Sequence, residues 1–160
     1  MKTIVIIGGG FSGVLTAFQL LQKSKNIQVK VINSNLPLAK GIAYSTSSPE
    51  HLLNVMAGKM SPFDKEPNHF VNWLNSNNYS SEKLDTAFLP RVVYGKYIQE
   101  LVSQIKSTSQ VEFVDAKAID IIKQEGCYSV VLNNGSSIVA NKIVLAMGNY
   151  LPANPKIKDV

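Results

Sequence analysis

The chain has 160 residues, 45% of them hydrophobic, and carries a net charge of +5. That length fits a single domain with a core of its own, so one domain over 1–160 is expected. The lysines are scattered and not interleaved with aromatics, and Cys127 is the sole cysteine, which excludes a basic nucleic-acid face, an internal disulfide and a Cys-x-x-Cys redox pair.

Lys2 to Ile7 is a short apolar run rich in β-branched residues and reads as a strand. Gly8, Gly10 and Gly13 follow in the spacing G-x-G-x-x-G, and a helical pattern opens behind them. Phe11, Val14, Leu15, Phe18 and Leu21 fall at helical spacing, which predicts one buried face. The pattern ends in polar residues near 22–26, and Ile27 to Ile32 reads as a second strand. The stretch from Asn33 to Gln110 is long for a crossover and must hold extra structure. Its first part carries Pro37, Gly41 and Pro49 and reads as extended or looped. Pro67 is expected to open a helix through Phe70, Trp73 and Leu74, broken by the asparagines near 75–78. Tyr94, Tyr97, Ile98, Leu101, Val102 and Ile105 keep a helical rhythm over about three turns.

The period then changes. Val111 to Val114 reads as a third parallel strand. Residues 118–123, 128–132 and 136–140 read as a three-stranded antiparallel meander, with a tight turn at Asn134-Gly135. Lys142 to Met147 reads as a final buried strand ending at Gly148. The order is βαβ, helical insertion, β, meander, β.

In that context each glycine of the loop has a task. Gly8 turns the chain off the strand, Gly10 lets backbone approach a pyrophosphate, and Gly13 lets helix and strand pack closely. The helix N-terminus behind them offers N–H groups and partial positive charge to phosphates. Dinucleotide binding is therefore expected at Gly8, Gly10, Phe11, Ser12 and Gly13. About twenty residues past the last glycine, where a ribose-binding carboxylate is expected, this chain has Asn33. Its amide either meets the ribose hydroxyls or only caps the strand.

Three further stretches stand in order along the chain. Gly-Ile-Ala-Tyr-Ser at 41–45 is followed by His-Leu-Leu-Asn-Val at 51–55. Phe-Leu-Pro-Arg-Val-Val-Tyr-Gly-Lys-Tyr-Ile spans 88–98, and Val-Leu-Ala-Met-Gly-Asn-Tyr spans 144–150. With the glycine loop and the meander, they resemble the FAD-NAD(P)-binding protein family, distant relatives of flavin monooxygenases. The resemblance implies an α/β, Rossmann-like three-layer FAD-binding domain with a parallel sheet, a helical insertion and an antiparallel β-meander. It implies FAD as cofactor, NAD(P)H as reductant in the intact protein, and a small-molecule dinucleotide as the binding partner.

It also implies roles for single residues. Arg91, the only arginine, would lie near the flavin or a phosphate; a surface salt bridge is the alternative. Tyr44, Leu53 and Asn54 would border the isoalloxazine, or stabilise turns. The backbone at Lys117 and Ala118 would touch the adenine. Ala146, Met147 and Gly148 match the small-residue turn that closes over the cofactor, with Met147 where a threonine is common. Phe70, Trp73 and Tyr97 read as core. His51 and His69 are the only histidines and lack an obvious third ligand, so no metal site is expected; His51 reads as solvent-facing or capping, with a proton donor in the pocket as the alternative.

The sequence contains no Gly-Asp dipeptide and no second glycine fingerprint. It therefore reads as the N-terminal part of a longer flavoprotein whose own activity in isolation is low. The function expected is the FAD-binding domain of an NAD(P)H-dependent flavin oxidoreductase. The alternatives are a non-catalytic adenine-dinucleotide scaffold or a Rossmann domain for NAD(P) alone. The lone cysteine suits a reducing cytoplasm, and no apolar run is long enough to cross a bilayer, so no membrane partner is expected.

Overall fold

A parallel sheet in the order β3-β2-β1-β7 forms the centre of the chain, seen in a computed structural model that describes residues 1–34, 37–79 and 83–149. Strand β1 (Lys2–Ile7) pairs in parallel with β2 (Ile27–Asn33) on one side and with β7 (Lys142–Leu145) on the other. Strand β3 (Val111–Asp115) pairs in parallel with β2, setting Asn33 opposite Asp115. Val5 and Ile6 are both fully buried although they point to opposite faces. A central strand covered on both sides must be apolar at every interior position, which is why Thr-Ile-Val-Ile-Ile reads as a continuous run.

Two cores result. On one face Ile6, Val29 and Val31 pack against helix α1 (Phe11–Lys23) and helix α4 (Arg91–Lys106). On the other face Val5 and Ile32 pack against Val130, Leu132 and Ala140 of the meander. The meander is β4 (Ala118–Gln124), β5 (Cys127–Leu132) and β6 (Ser137–Ala140), antiparallel throughout. Helices, parallel sheet and meander make the three layers expected.

The insertion holds a helical turn α2 (Gly41–Tyr44), a 3₁₀ turn at Ala57–Lys59 and helix α3 (His69–Ser76). Helix α3 starts two residues after Pro67 and ends beside Asn78, whose φ of 59° is the left-handed geometry asparagine tolerates. Helix α4 starts behind Pro90, whose fixed φ of −58° suits a helix entry. All six residues of its predicted rhythm are buried. Phe70 and Tyr97 are fully buried, and Trp73 is partly so.

Four sequence expectations change. The first part of the insertion is not merely extended, because α2 lies within it. Leu15 does not join the buried face of α1, which is formed by Gly13, Val14, Ala17, Phe18 and Leu21; it lines an outer groove instead. Ser136 belongs to the turn, where its carbonyl accepts from the Leu132 N–H at 2.8 Å. Strand β7 is not buried: it is the sheet's edge, and Leu145 is 59% exposed. An edge strand has a neighbour on one side only, so alternate side chains stay open to water.

Candidate functional site at the carboxyl ends of the parallel strands

The expected nucleotide-site residues gather at one edge of the sheet. The glycine loop leaves β1, Asn33 ends β2, Ala146 follows β7, and Lys117 lies just past β3. Crevices outside the carboxyl ends of parallel strands are where open α/β sheets hold ligands.

Packing explains two of the loop glycines. At Gly8, φ is +109°, and a Cβ there would lie 2.1 Å from the Ala146 carbonyl oxygen. At Gly13 a Cβ would lie 1.8 Å from the Gly8 carbonyl oxygen. The loop is thus closed on itself and against the end of β7, where the Ala146 N–H donates to the Ile7 carbonyl at 2.8 Å. Gly10 differs. Its φ is −73°, open to any residue, and a Cβ there would meet nothing nearer than the Gly41 Cα at 3.4 Å. The protein's own packing does not require glycine at this position. Behind it α1 begins with no side-chain cap and no acidic residue in its first turn. The first-turn N–H groups and the positive end of the dipole suit an anion. A bare, unclashing backbone at Gly10 beside such a helix end fits a pyrophosphate.

Asn33 is tied to this loop. Its Oδ1 accepts from the Gly9 N–H at 3.1 Å. The side chain therefore fixes the loop's register against β2, whatever it does for a ribose. A wall that the sequence did not reveal comes from residues 38–41. The Ala39 N–H donates to the Gly9 carbonyl at 2.8 Å, and Ala39 itself has a φ of 72°. A non-glycine residue held in that region is strained by roughly 1–3 kcal/mol, and such strain concentrates at functional sites. The only sequence hint was Gly41, which sits at φ 54° facing Gly10.

Next to the loop lies a cleft of about 500 Å³ lined by residues including Gly41, Ser45, Thr46, His51 and Arg91. The cleft is held together by backbone. The Arg91 N–H donates to the His51 carbonyl at 2.8 Å, and Arg91 Nε donates to the Leu52 carbonyl at 3.0 Å. Among the described residues no carboxylate lies within ion-pair distance of Arg91. Its guanidinium is anchored through Nε beside the cleft. His51 Nδ1 bonds Thr46 Oγ1 at 2.6 Å, and the Ser45 hydroxyl donates to the Gly41 carbonyl.

Tyr44 packs edge-on against Phe11, with ring centroids 5.5 Å apart, joining cleft and glycine loop. Burial raises its phenol above the ordinary 10.0, with the nearby Arg91 charge opposing the shift. Leu53 is buried, and its N–H donates to the Leu89 carbonyl at 2.8 Å. That donor is spent within the protein. Asn54 is exposed. The Lys117 N–H donates to Asn133 Oδ1 at 2.9 Å, and its carbonyl accepts from the Asn133 N–H at 2.9 Å. Lys117 thus has its backbone donor already engaged, while Ala118 opens β4 beside it. Met147 is half exposed and Gly148 has a φ of 70° with open space around it. His69 Nδ1 meets the Tyr97 hydroxyl at 2.7 Å.

Among the described residues no group of three or more His, Cys, Asp or Glu is placed to hold a metal, and no helix is long and apolar enough to cross a membrane.

Known proteins share this architecture. Over 153 residues the chain is 24% identical to the tRNA uridine 5-carboxymethylaminomethyl modification enzyme MnmG of Metamycoplasma arthritidis, covering 92% of this chain and 25% of that protein. It is 28% identical over 111 residues to the Escherichia coli protein YdhS, covering 62% of this chain and 20% of that one. The chain therefore spans a quarter or less of the length of these curated relatives. A cyclohexanone monooxygenase variant from Rhodococcus sp. Phi1, bound to NADP+, superposes with a TM-score of 0.66 at 18% identity, over 100% of this chain and 28% of that one. The bacillithiol disulfide reductase Bdr of Staphylococcus aureus superposes with a TM-score of 0.62 at 16% identity, over 92% and 39%. At such identities the likeness to the solved structures is one of fold. The FAD-NAD(P)-binding family model matches residues 5–150, and the chain belongs to that family.

Proposed function

We infer that residues 1–160 are one FAD-binding domain of an NAD(P)H-dependent flavin oxidoreductase, with the ADP half of FAD held by the loop from Gly8 to Gly13. The observation that carries the reading is Gly10. Its backbone is free of the clashes that force glycine at Gly8 and Gly13, and it fronts the uncapped end of α1. A pyrophosphate approaching that backbone supplies the reason for glycine that the fold does not.

The other roles follow from position. Phe11, Ser12 and Gly13 present first-turn N–H groups to the phosphates. Asn33 faces the adenosine ribose while holding Gly9. Ala118 faces the adenine, with Lys117 orienting the strand entry. Ala146, Met147 and Gly148 close the loop's far side. Arg91, Tyr44, Asn54 and the buried Leu53 shape the cleft for the flavin end. When bound, FAD supplies the two-electron chemistry, and the protein supplies position and charge. The layered fold favours this over a domain for NAD(P) alone, because the meander stands where a crossover helix would continue the β–α alternation.

A second reading is a binding scaffold without turnover. It draws on Asn33, which offers the ribose a neutral amide where a carboxylate would bond more strongly. Titration of the purified chain with FAD and ADP, followed by flavin fluorescence, tests the main reading. Saturable FAD binding displaced by ADP is expected; absence of competition refutes the assignment. A visible spectrum changed by NADPH in the longer protein separates enzyme from scaffold.

A further inference from the structure

Aromatic rings run in contact from the cleft to the far end of the insertion. Tyr44 lies between the cleft-lining residues Ala43 and Ser45. Its ring centroid is 4.9 Å from that of Tyr94, which is 5.4 Å from Tyr97, which is 5.4 Å from Trp73. Trp73 is the only tryptophan and is partly exposed. Every ring in the series is of a type that can lose one electron, and no gap interrupts it. Two of the four also carry a bonded proton acceptor. The Tyr97 hydroxyl meets His69 Nδ1 at 2.7 Å, and Trp73 Nε1–H donates to Glu100 Oε2 at 2.6 Å. The Tyr94 hydroxyl instead donates to the Met60 carbonyl at 2.8 Å. A carbonyl does not keep a proton, so Tyr94 passes charge without holding it.

An aromatic core requires none of this. Phenylalanine would fill the same volume without leaving polar groups to satisfy. Here the buried Tyr97 hydroxyl has its partner in an imidazole, the one side chain that exchanges protons near neutrality. Burial holds the Tyr97 phenol well above its ordinary 10.0. Its oxidation is then favourable only if the proton leaves with the electron, and His69 is placed to take it.

We propose that Tyr44, Tyr94, Tyr97 and Trp73 form a relay that carries a one-electron oxidising equivalent from the cleft to the surface. The oxidant is an oxygen-derived radical formed in the cleft, and the final reductant is a soluble thiol. The oxidant gains one electron and one proton. Tyr97 gives its electron toward the cleft and its hydroxyl proton to His69. Trp73 then reduces Tyr97, losing its indole proton to Glu100 while His69 returns the first proton. A thiol at the surface reduces Trp73 and releases its proton to water, while Glu100 returns the indole proton to Trp73 Nε1. Water in the cleft supplies the proton that the reduced oxidant takes up. Net, one S–H bond breaks, one O–H bond forms on the oxidant, a thiyl radical leaves and the four rings are unchanged. The cleft's role as the flavin's place rests on the proposed function, but the contacts between rings do not.

Pulse radiolysis with azidyl radicals, which oxidise tryptophan in preference to tyrosine, tests the relay without any flavin. The pulse starts the charge at the surface end, so it reads the Tyr97–Trp73 step in reverse: in the native chain the tryptophanyl signal should relax into a tyrosyl signal at a rate independent of protein concentration, and more slowly in heavy water, and added thiol should clear both signals through Trp73. Tyr97→Phe should slow that conversion about tenfold or more, the effect of raising a barrier by about 1.4 kcal/mol. Tyr79 also stacks on Trp73, with centroids 5.8 Å apart. Tyr79→Phe should leave the rate unchanged, and its loss there with survival in Tyr97→Phe overturns the proposal. The double variant Tyr44→Trp with Trp73→Phe moves the entry point to the cleft. Conversion to a tyrosyl radical should persist there and fall on adding Tyr97→Phe. If it depends on collisions between molecules, the relay does not reach the cleft and the proposal fails. Circular dichroism of each variant reports folding separately, and FAD titration reports the cofactor reading separately.

Discussion

Replacing Gly10 with alanine separates two reasons for a glycine. A Cβ at this position would sit 3.4 Å from the Gly41 Cα, an ordinary contact, and the φ of −73° suits alanine. Folding should therefore survive. Restricting the unfolded chain should even stabilise the fold by roughly 0.5 kcal/mol. Binding should not survive intact. A methyl group between loop and phosphate holds the anion away from the first-turn N–H groups of α1. Losing two charge-assisted hydrogen bonds at about 1.5 kcal/mol each amounts to ~3 kcal/mol, or roughly a hundredfold in Kd. Thermal unfolding and calorimetric titration with ADP and with FAD measure the two effects on one sample. Unchanged Kd values with an intact fold would show that no phosphate approaches Gly10. Valine is a poorer probe, because its γ-carbons would press on Gly41 and mix packing with binding.

Three further outcomes are expected. Gly13→Ala should destabilise by about 3 kcal/mol or more, since its Cβ would lie 1.8 Å from a backbone oxygen that cannot rotate away; denaturant unfolding at parental stability would contradict the loop geometry. Asn33→Asp should tighten FAD binding by about 1 kcal/mol, because its carboxylate accepts from Gly9 and ribose donors with charge assistance; a weaker Kd would place ribose elsewhere. Burial raises Tyr94 and Tyr97 above the ordinary 10.0, so above that pH the unfolded chain releases protons the folded chain retains. Stability is then full below pH 10 and falls as pH rises, by about 1.4 kcal/mol per pH unit for each tyrosine. Tyr97→Phe should make the slope shallower by about 1.4 kcal/mol per pH unit in urea titrations run across the alkaline range, and an unchanged slope would mean that Tyr97 ionises while folded.

What could be read in the sequence was what is local. The glycine spacing, the helical rhythm from Tyr94 to Ile105 and the alternation of the meander depend on near neighbours, and each lies where its pattern placed it. Leu15 misled because its spacing suits the buried face, while the small residues Gly13 and Ala17 carry that face closer to the sheet. Strand β7 misled because an apolar strand reads alike at a sheet's centre and at its edge. The wall at residues 38–41, hinted at only by Gly41, and the His69–Tyr97 pair escaped the local pattern, since both are made by contacts across the fold. Composition does not record which histidine meets which phenol.

The pairing of β1 with β7 sets an order on the ribosome. Ile4 is aligned with Lys142, and Gly8 is braced by Ala146. During synthesis the glycine loop emerges long before the brace that residues 142–146 supply. Until then the sheet's central strand has one neighbour side empty, and Val5 lacks the meander residues Val130, Leu132 and Ala140 that cover it. A nucleotide therefore cannot template early folding here. It meets a finished site or none, and saturating FAD should leave the refolding rate unchanged while slowing unfolding.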